Sequence, residues 1–177
     1  GQWSRTGALA SGVPGALAAY ERAITDHGRT AWRELVMPAA HRAEEGFLVD
    51  AVYARKLASV ARTLAQFEGS RAALLDENGR PHAEGYLLKQ PDLAATYRQV
   101  AGGGSRAFDQ GPFAEACHAW MKQNGGILTR QDLAGYRPGL REPIVSRYRG
   151  HTIVGFPSPS SGGIHVAQIL NILESFD

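Results

Sequence analysis

From Pro14 to Asn124 the apolar residues of this chain recur every three or four positions. Only beyond Pro143 do they give way to short runs of β-branched and aromatic residues. Recurrence near 3.6 lays apolar side chains along one face of a helix, whereas short β-branched runs serve a strand. The contrast restricts the chain to a mainly α architecture with a small β-hairpin near its end, an α+β class.

Glycine and proline divide the helical part. Pro14 opens a first helix that runs to His27, and Gly28 stops it. Thr30 is placed to cap a second helix through Ala31–Val36. Pro38 is expected to break or kink it, with a continuation to Gly46. Asp50 is placed to cap a third helix, whose apolar face is Val52, Tyr53, Leu57, Val60 and Leu64. Asp76 to Arg80 reads as a turn. Pro91 and Asp92 open a helix expected to end at Gly102-Gly103-Gly104. Pro112 opens another, with Phe113, Ala116, Cys117, Trp120 and Met121 on its buried face. Thr129 caps a short turn. Strands are expected near Ile144–Tyr148 and His151–Phe156, joined at Arg149-Gly150. A last helix follows Gly163, with Val166, Ile169, Leu170, Leu173 and Phe176 on one face. The division this implies is a helical lobe over residues 1–142. The hairpin, a Pro/Ser/Gly loop and the final helix occupy 143–177.

The chain has 177 residues, 44% of them hydrophobic and 20% charged, which suits a globular domain with a real core. Its net charge of +2 gives no electrostatic case for a nucleic-acid or membrane-surface partner. No apolar run approaches the roughly 20 residues that span a bilayer. The chain begins at Gly1 rather than Met, with no signal-peptide pattern, and this reads as a cloning boundary or a processed end. Cys117 is the single cysteine, so no internal disulfide framework exists.

Few residues suggest chemistry. His41 and Glu44 share a helix face at i and i+3, a pairing more typical of a solvated face than of a metal site. Cys117 and His118 are adjacent on a helix and point apart, so they form no nucleophile–base pair. Cys117 reads as a small buried apolar side chain. Ala101–Ser105, "AGGGS", lacks the lysine and spacing of a phosphate-binding loop and reads as a helix terminator. No cofactor fingerprint and no metal-ligand spacing is present. The suggestive stretch is Ser160-Ser161-Gly162-Gly163, which enters the last helix. Its N–H groups and the helix dipole suit a carboxylate or phosphate. A serine cap with glycines at a sharp strand-to-helix corner accounts for the same residues.

Three longer stretches carry a resemblance. They are "SGVPGALAAYERAITDHGRTAWRELVMPAAHRAEEGF" from Ser11, "FDQGPFAEACHAWMKQNGGILTRQDLAGYRP" from Phe108, and "SRYRGHTIVGFPSPSSGGIHVAQILNILESFD" from Ser146. In order and spacing they are similar to the γ-glutamyltranspeptidases, whose signature reads PPPSSGG where this chain has Pro157-Ser158-Pro159 before its Ser-Ser-Gly-Gly. Ser158 is expected to keep the role of the proline it replaces.

The resemblance implies part of the large subunit of an N-terminal nucleophile hydrolase with an αββα sandwich. It also implies a small subunit cut from the same precursor as partner, and glutathione or other γ-glutamyl compounds as substrates of the parent enzyme. A periplasmic or secreted location and no cofactor follow from it as well. In the family, the nucleophilic threonine follows the stretch ending at Asp177, and the arginine that clamps the substrate carboxylate precedes the stretch at Ser11. Thr129 and Thr152 do not occupy the nucleophile motif. No catalytic or metal-ligating residue is therefore assigned within these residues, their substrate contacts stay open, and the chain alone is expected to be inactive. Related acylases, enzymes that process poly-γ-glutamate, or a helical binding module without catalysis are the alternatives. Stripped of partners, the segment after Pro143 is expected to self-associate.

Overall fold

The computed structural model describes residues 2–176. The chain divides into two compact units, the first ending at Arg137 and the second beginning at Pro138.

In the first unit, two short 3₁₀ turns precede α1 (Ala16–His27) and α2 (Trp32–Glu45). A short strand β1 (Phe47–Leu48) leads into α3 (Ala51–Leu64) and α4 (Glu68–Leu74). Strand β2 (Leu87–Leu88) precedes α5 (Pro91–Asp109), α6 (Pro112–Gln123) and α7 (Arg130–Gly135). The mainly helical class expected from the apolar spacing is therefore what the chain adopts. One β element went unforeseen: β1 pairs antiparallel with β2 through Phe47↔Leu88 and Leu48↔Leu87. Two residues per strand are too few for alternation to show.

Helices α2 and α5 pack against each other most extensively, through small residues. Ala40 and Ala94 are wholly buried, as is Val100, and Ala101 lies among them. Burying a valine side chain contributes about 2 kcal/mol. The Trp32 indole N–H donates to the Val100 carbonyl at 2.7 Å, tying the start of α2 to mid-α5. At the surface Arg98 forms an ion pair with Glu44.

One of the two expected helix breaks does not occur. Pro38 lies inside a continuous α2. Its ring sits on the exposed side, where water can satisfy the carbonyl it leaves unbonded, while the opposite side packs on α5. The other does occur, within the expected glycine run: the first segment of α5 runs through Gly102 and Gly103 and stops at Gly104. Gly104 itself is non-helical (φ 68°, ψ −167°), and a second helical segment restarts after it and ends at Asp109. Ala31, not Thr30, precedes α2, with no side-chain cap. Asp50 does cap α3, accepting the Tyr53 N–H at 2.7 Å. Of the face expected on α3, Leu57 is buried, whereas Val52 and Val60 are exposed. On α6 the buried residues are Ala114 and Met121, with Phe113, Cys117 and His118 half-buried and Trp120 exposed.

In the second unit, β3 (Ile144–Tyr148) and β4 (His151–Gly155) form the expected antiparallel hairpin, in register from Ile144↔Gly155 to Tyr148↔His151. Arg149 and Gly150 both have positive φ, 45° and 81°, as a tight hairpin turn requires. Helix α8 (Gly162–Leu173) packs on both strands. Its inner face is Gly163, Ala167 and Leu170. Val166, Ile169, Leu173 and Phe176, expected on a buried face, are exposed, as are the paired Val145 and Val154 on the hairpin.

Candidate functional site

The strand-to-helix corner of the second unit is built by backbone contact. A Cβ on Gly163 would meet the Phe156 carbonyl oxygen at 2.2 Å and its nitrogen at 2.8 Å. Only glycine lets α8 approach the end of β4 this closely. The Ser158–Pro159 peptide is cis, and the Ser160 N–H donates to the Pro157 carbonyl at 3.2 Å. Ser161 precedes α8 in a helical conformation and makes no side-chain cap. Of the serine-cap and glycine-corner account, the glycine part describes the structure and the cap does not. An apolar hollow of about 200 Å³ lies beside the corner, lined among others by Ile144, Ile153, Phe156 and Val166. Thr152 lies in β4, paired with Arg147.

In the first unit, a polar cavity of about 730 Å³ opens between the end of α5 and helices α6 and α7. Its lining includes Asp109, Gln110, His118, Thr129, Arg130 and Gln131. Asp109 is the buried acid of this wall. Desolvation, and then the nearby Glu21 carboxylate, raise its pKa above the ordinary 3.8, with Arg137 acting in the opposite direction. The His118 Nδ1 is buried without a hydrogen-bond partner among the described residues.

Thr129 and Asp132 meet with the spacing of a nucleophile and a base but do the work of a cap. The Thr129 N–H and hydroxyl both donate to Asp132 Oδ2, at 2.8 and 2.7 Å, and the Asp132 N–H donates back to Thr129 Oγ1 at 3.2 Å. These bonds hold the Asp132 carboxyl below its ordinary range, which makes it a poor proton acceptor. Burial pushes the Cys117 thiol up, away from the reactive thiolate. Cys117 is half-buried rather than fully enclosed, and His118 follows it on α6.

The sequence-flagged residues do not converge. His41 is exposed, and Glu44 is engaged by Arg98 on α5. Ala101–Ser105 spans the break in α5 at Gly104, as a helix terminator does. Among the described residues, no group of three His, Cys, Asp or Glu is placed to hold a metal ion. No helix is long and apolar enough to cross a membrane. Sequence reasoning passes over Glu21 and Asp109. Glu21 reaches Ser105 across 84 positions, a separation no local pattern reveals.

Comparison with known proteins supplies what the geometry does not. The family profile described as Gamma-glutamyltranspeptidase matches residues 1–177. The glutathione hydrolase proenzyme of Escherichia coli (strain K12) is 40% identical over 175 residues, covering 98% of this chain and 30% of that protein. The acylase ACY 1 proenzyme of Pseudomonas sp. (strain V22) is 41% identical over 171 residues, again covering 30% of its length. The crystal structure of Helicobacter pylori gamma-glutamyltranspeptidase superposes with a TM-score of 0.96 at 37% identity, over 99% of this chain and 50% of that one. The chain thus spans about 30% of the length of the curated relatives it matches.

Proposed function

Because this chain belongs to the γ-glutamyltranspeptidase family, we propose that it forms part of the large subunit of an enzyme that cleaves γ-glutamyl amide bonds. The observation that carries the reading is the family match over residues 1–177, together with 98% coverage of this chain by the glutathione hydrolase relative. In this reading a threonine hydroxyl outside residues 1–177 attacks the γ-carbonyl of glutathione or a related compound. The amine leaves with a proton, and the γ-glutamyl ester passes to water or to an amino acid or peptide. Residues 1–142 serve as a helical lobe. Residues 143–177 carry the hairpin and α8 toward the sandwich core. The small subunit of the same precursor is the partner, and the parent enzyme works in the periplasm or is secreted.

No residue of this chain carries the chemistry in this account. The Thr129 hydroxyl is spent on Asp132, and Thr152 sits within a paired strand. The role of the Gly163 corner is to fix the direction in which α8 leaves the hairpin.

A second reading has its own support. The identity to the acylase, 41%, is within one percentage point of that to the glutathione hydrolase, 40%. The parent of this chain would then cleave an acyl amide other than a γ-glutamyl one. Expressing the full-length parent and comparing release from a γ-glutamyl anilide with release from a glutaryl amide separates the two. Preference for the γ-glutamyl compound supports the first reading; preference for the glutaryl amide replaces it with the second.

A further inference from the structure

At Gly104 helix α5 is interrupted for one residue, and the space where its Cβ would project is filled by Glu21 of α1. The Glu21 Oε1 lies 2.2 Å from that position. The other carboxylate oxygen, Oε2, accepts the Ser105 N–H at 3.0 Å. Glu21 therefore caps the restarted segment of α5 from a different helix, as an acid at a helix N-terminus does. One turn further along the same face sits Asp109. Ser105 is 7% exposed and Asp109 8%, so a second acid lies buried close behind the capping one.

The charged and titratable groups around Asp109 are few. Glu21 of α1 acts on it as a like charge and Arg137, beyond α7, as an opposite one. His118 of α6 and Arg130 of α7 line the same cavity. Arg130 is paired with Glu115, and the Arg137 guanidinium donates to the carbonyls of Ala134 and Tyr136. No ion pair of Asp109 is formed among the described residues, and Glu21 is its like-charged neighbour.

We propose that Glu21 and Asp109 form a proton-held latch across the Gly104 break. A proton on Asp109 lets Glu21 keep its hold on Ser105, and loss of that proton loosens it. Two carboxylates in a partly buried site repel when both are ionised. Glu21 is the member able to yield, because the Ser105 N–H is what holds it there. When it swings away, the segment from Ser105 to Asp109 loses its cap. The proton passes from the Asp109 carboxyl to solvent, and the Ser105 N–H to Glu21 hydrogen bond is the only bond released. Asp109 and Gln110 form part of the cavity wall, so the latch sets the shape of that wall.

Amide hydrogen exchange of Ser105 in the full 177-residue chain, read by NMR from about pH 4 to pH 8 after correction for intrinsic rates, tests this. Protection of Ser105 is expected to fall by about tenfold or more as pH rises through the Asp109 titration, the scale of losing one hydrogen bond to a charged group. The Asp109 carboxyl ¹³C shift should share that midpoint. Asp109→Asn should abolish the pH dependence, and Glu21→Gln should lower both the Asp109 midpoint and Ser105 protection. Protection that stays flat in the unmodified chain, or a pH dependence that survives Asp109→Asn, overturns the latch. Should a variant not fold, the unmodified chain still decides, because coincident midpoints support the latch and separate midpoints refute it.

Discussion

Glu174, just past α8, accepts the backbone N–H of Arg149 at 2.9 Å, and the Arg149 guanidinium donates to the Phe176 carbonyl at 3.0 Å. Arg149 is the non-glycine residue with positive φ among the described residues, at 45°. Such a conformation costs about 1 kcal/mol or more and persists where the surroundings hold it. The paired hairpin sets it, and Glu174 adds a hydrogen bond that holds it. Replacing Glu174 by Ala should destabilise the hairpin turn by about 1 kcal/mol, the typical net worth of one hydrogen bond. Thermal unfolding monitored over the hairpin resonances checks this, and an unchanged midpoint contradicts it.

Gly163 carries a larger expected effect. A methyl group there would overlap the Phe156 backbone, which is not a flexible side chain that can move aside. Gly163→Ala should cost about 3 kcal/mol, the upper end of overpacking penalties, and should detach α8 from β4. Gly162→Ala is the control, since its Cβ would meet only the Ser160 hydroxyl oxygen at 3.7 Å. Denaturant unfolding of the two variants should separate them clearly; equal stability of the two contradicts the close-packed corner.

Two carboxyls give stability a pH dependence of opposite sign. Asp132 is held below its ordinary 3.8 by Thr129. Its contribution is present above the unfolded value and is lost as pH falls through the lower folded value. Thr129→Val should therefore lower Tm at neutral pH, and its gap from the unmodified chain should close in acid. The Asp109 pKa is raised by burial and by Glu21. Its contribution is complete below 3.8 and is lost as pH rises through the raised folded value. Asp109→Asn should flatten that decline. Tm measured against pH for both variants checks the two signs, and a Thr129→Val gap that widens in acid contradicts the first.

Much of the fold is legible in the sequence because it is encoded locally. Asp50 and Thr129 announce their helices by side chains that cap within three residues, and Pro91 and Pro112 do so by position. The hairpin shows in its β-branched runs and its Arg-Gly turn. What fails is set by distant partners. Pro38 looks like a break until α5 is seen to support the other side of α2. The Gly102–Gly104 run does end one helical segment, but the restart behind it stays hidden until Glu21 is seen capping it. The outward stripe of α8, Val166, Ile169 and Leu173, with Phe176 just beyond it, reads as core because its periodicity says only that one face is apolar, not which surface covers it. The candidate chemistry is less legible still. It rests on family resemblance, because no nucleophile, base and orienting group meet within the described residues.

That same stripe, with Val145 and Val154 on the hairpin, leaves apolar surface open in the second unit. The isolated chain should therefore associate through the segment after Pro143, and Ile169→Lys should weaken the association. Light scattering over a concentration series measures it. A strict monomer at high concentration, or association unaffected by Ile169→Lys, contradicts the assignment.

The most direct measurement is γ-glutamyl turnover by the purified 177-residue chain beside its full-length parent. The account predicts that the parent releases glutamate from glutathione while the chain alone releases none above background. Glutamate release by the chain alone would place a working nucleophile within residues 1–177 and contradict the account.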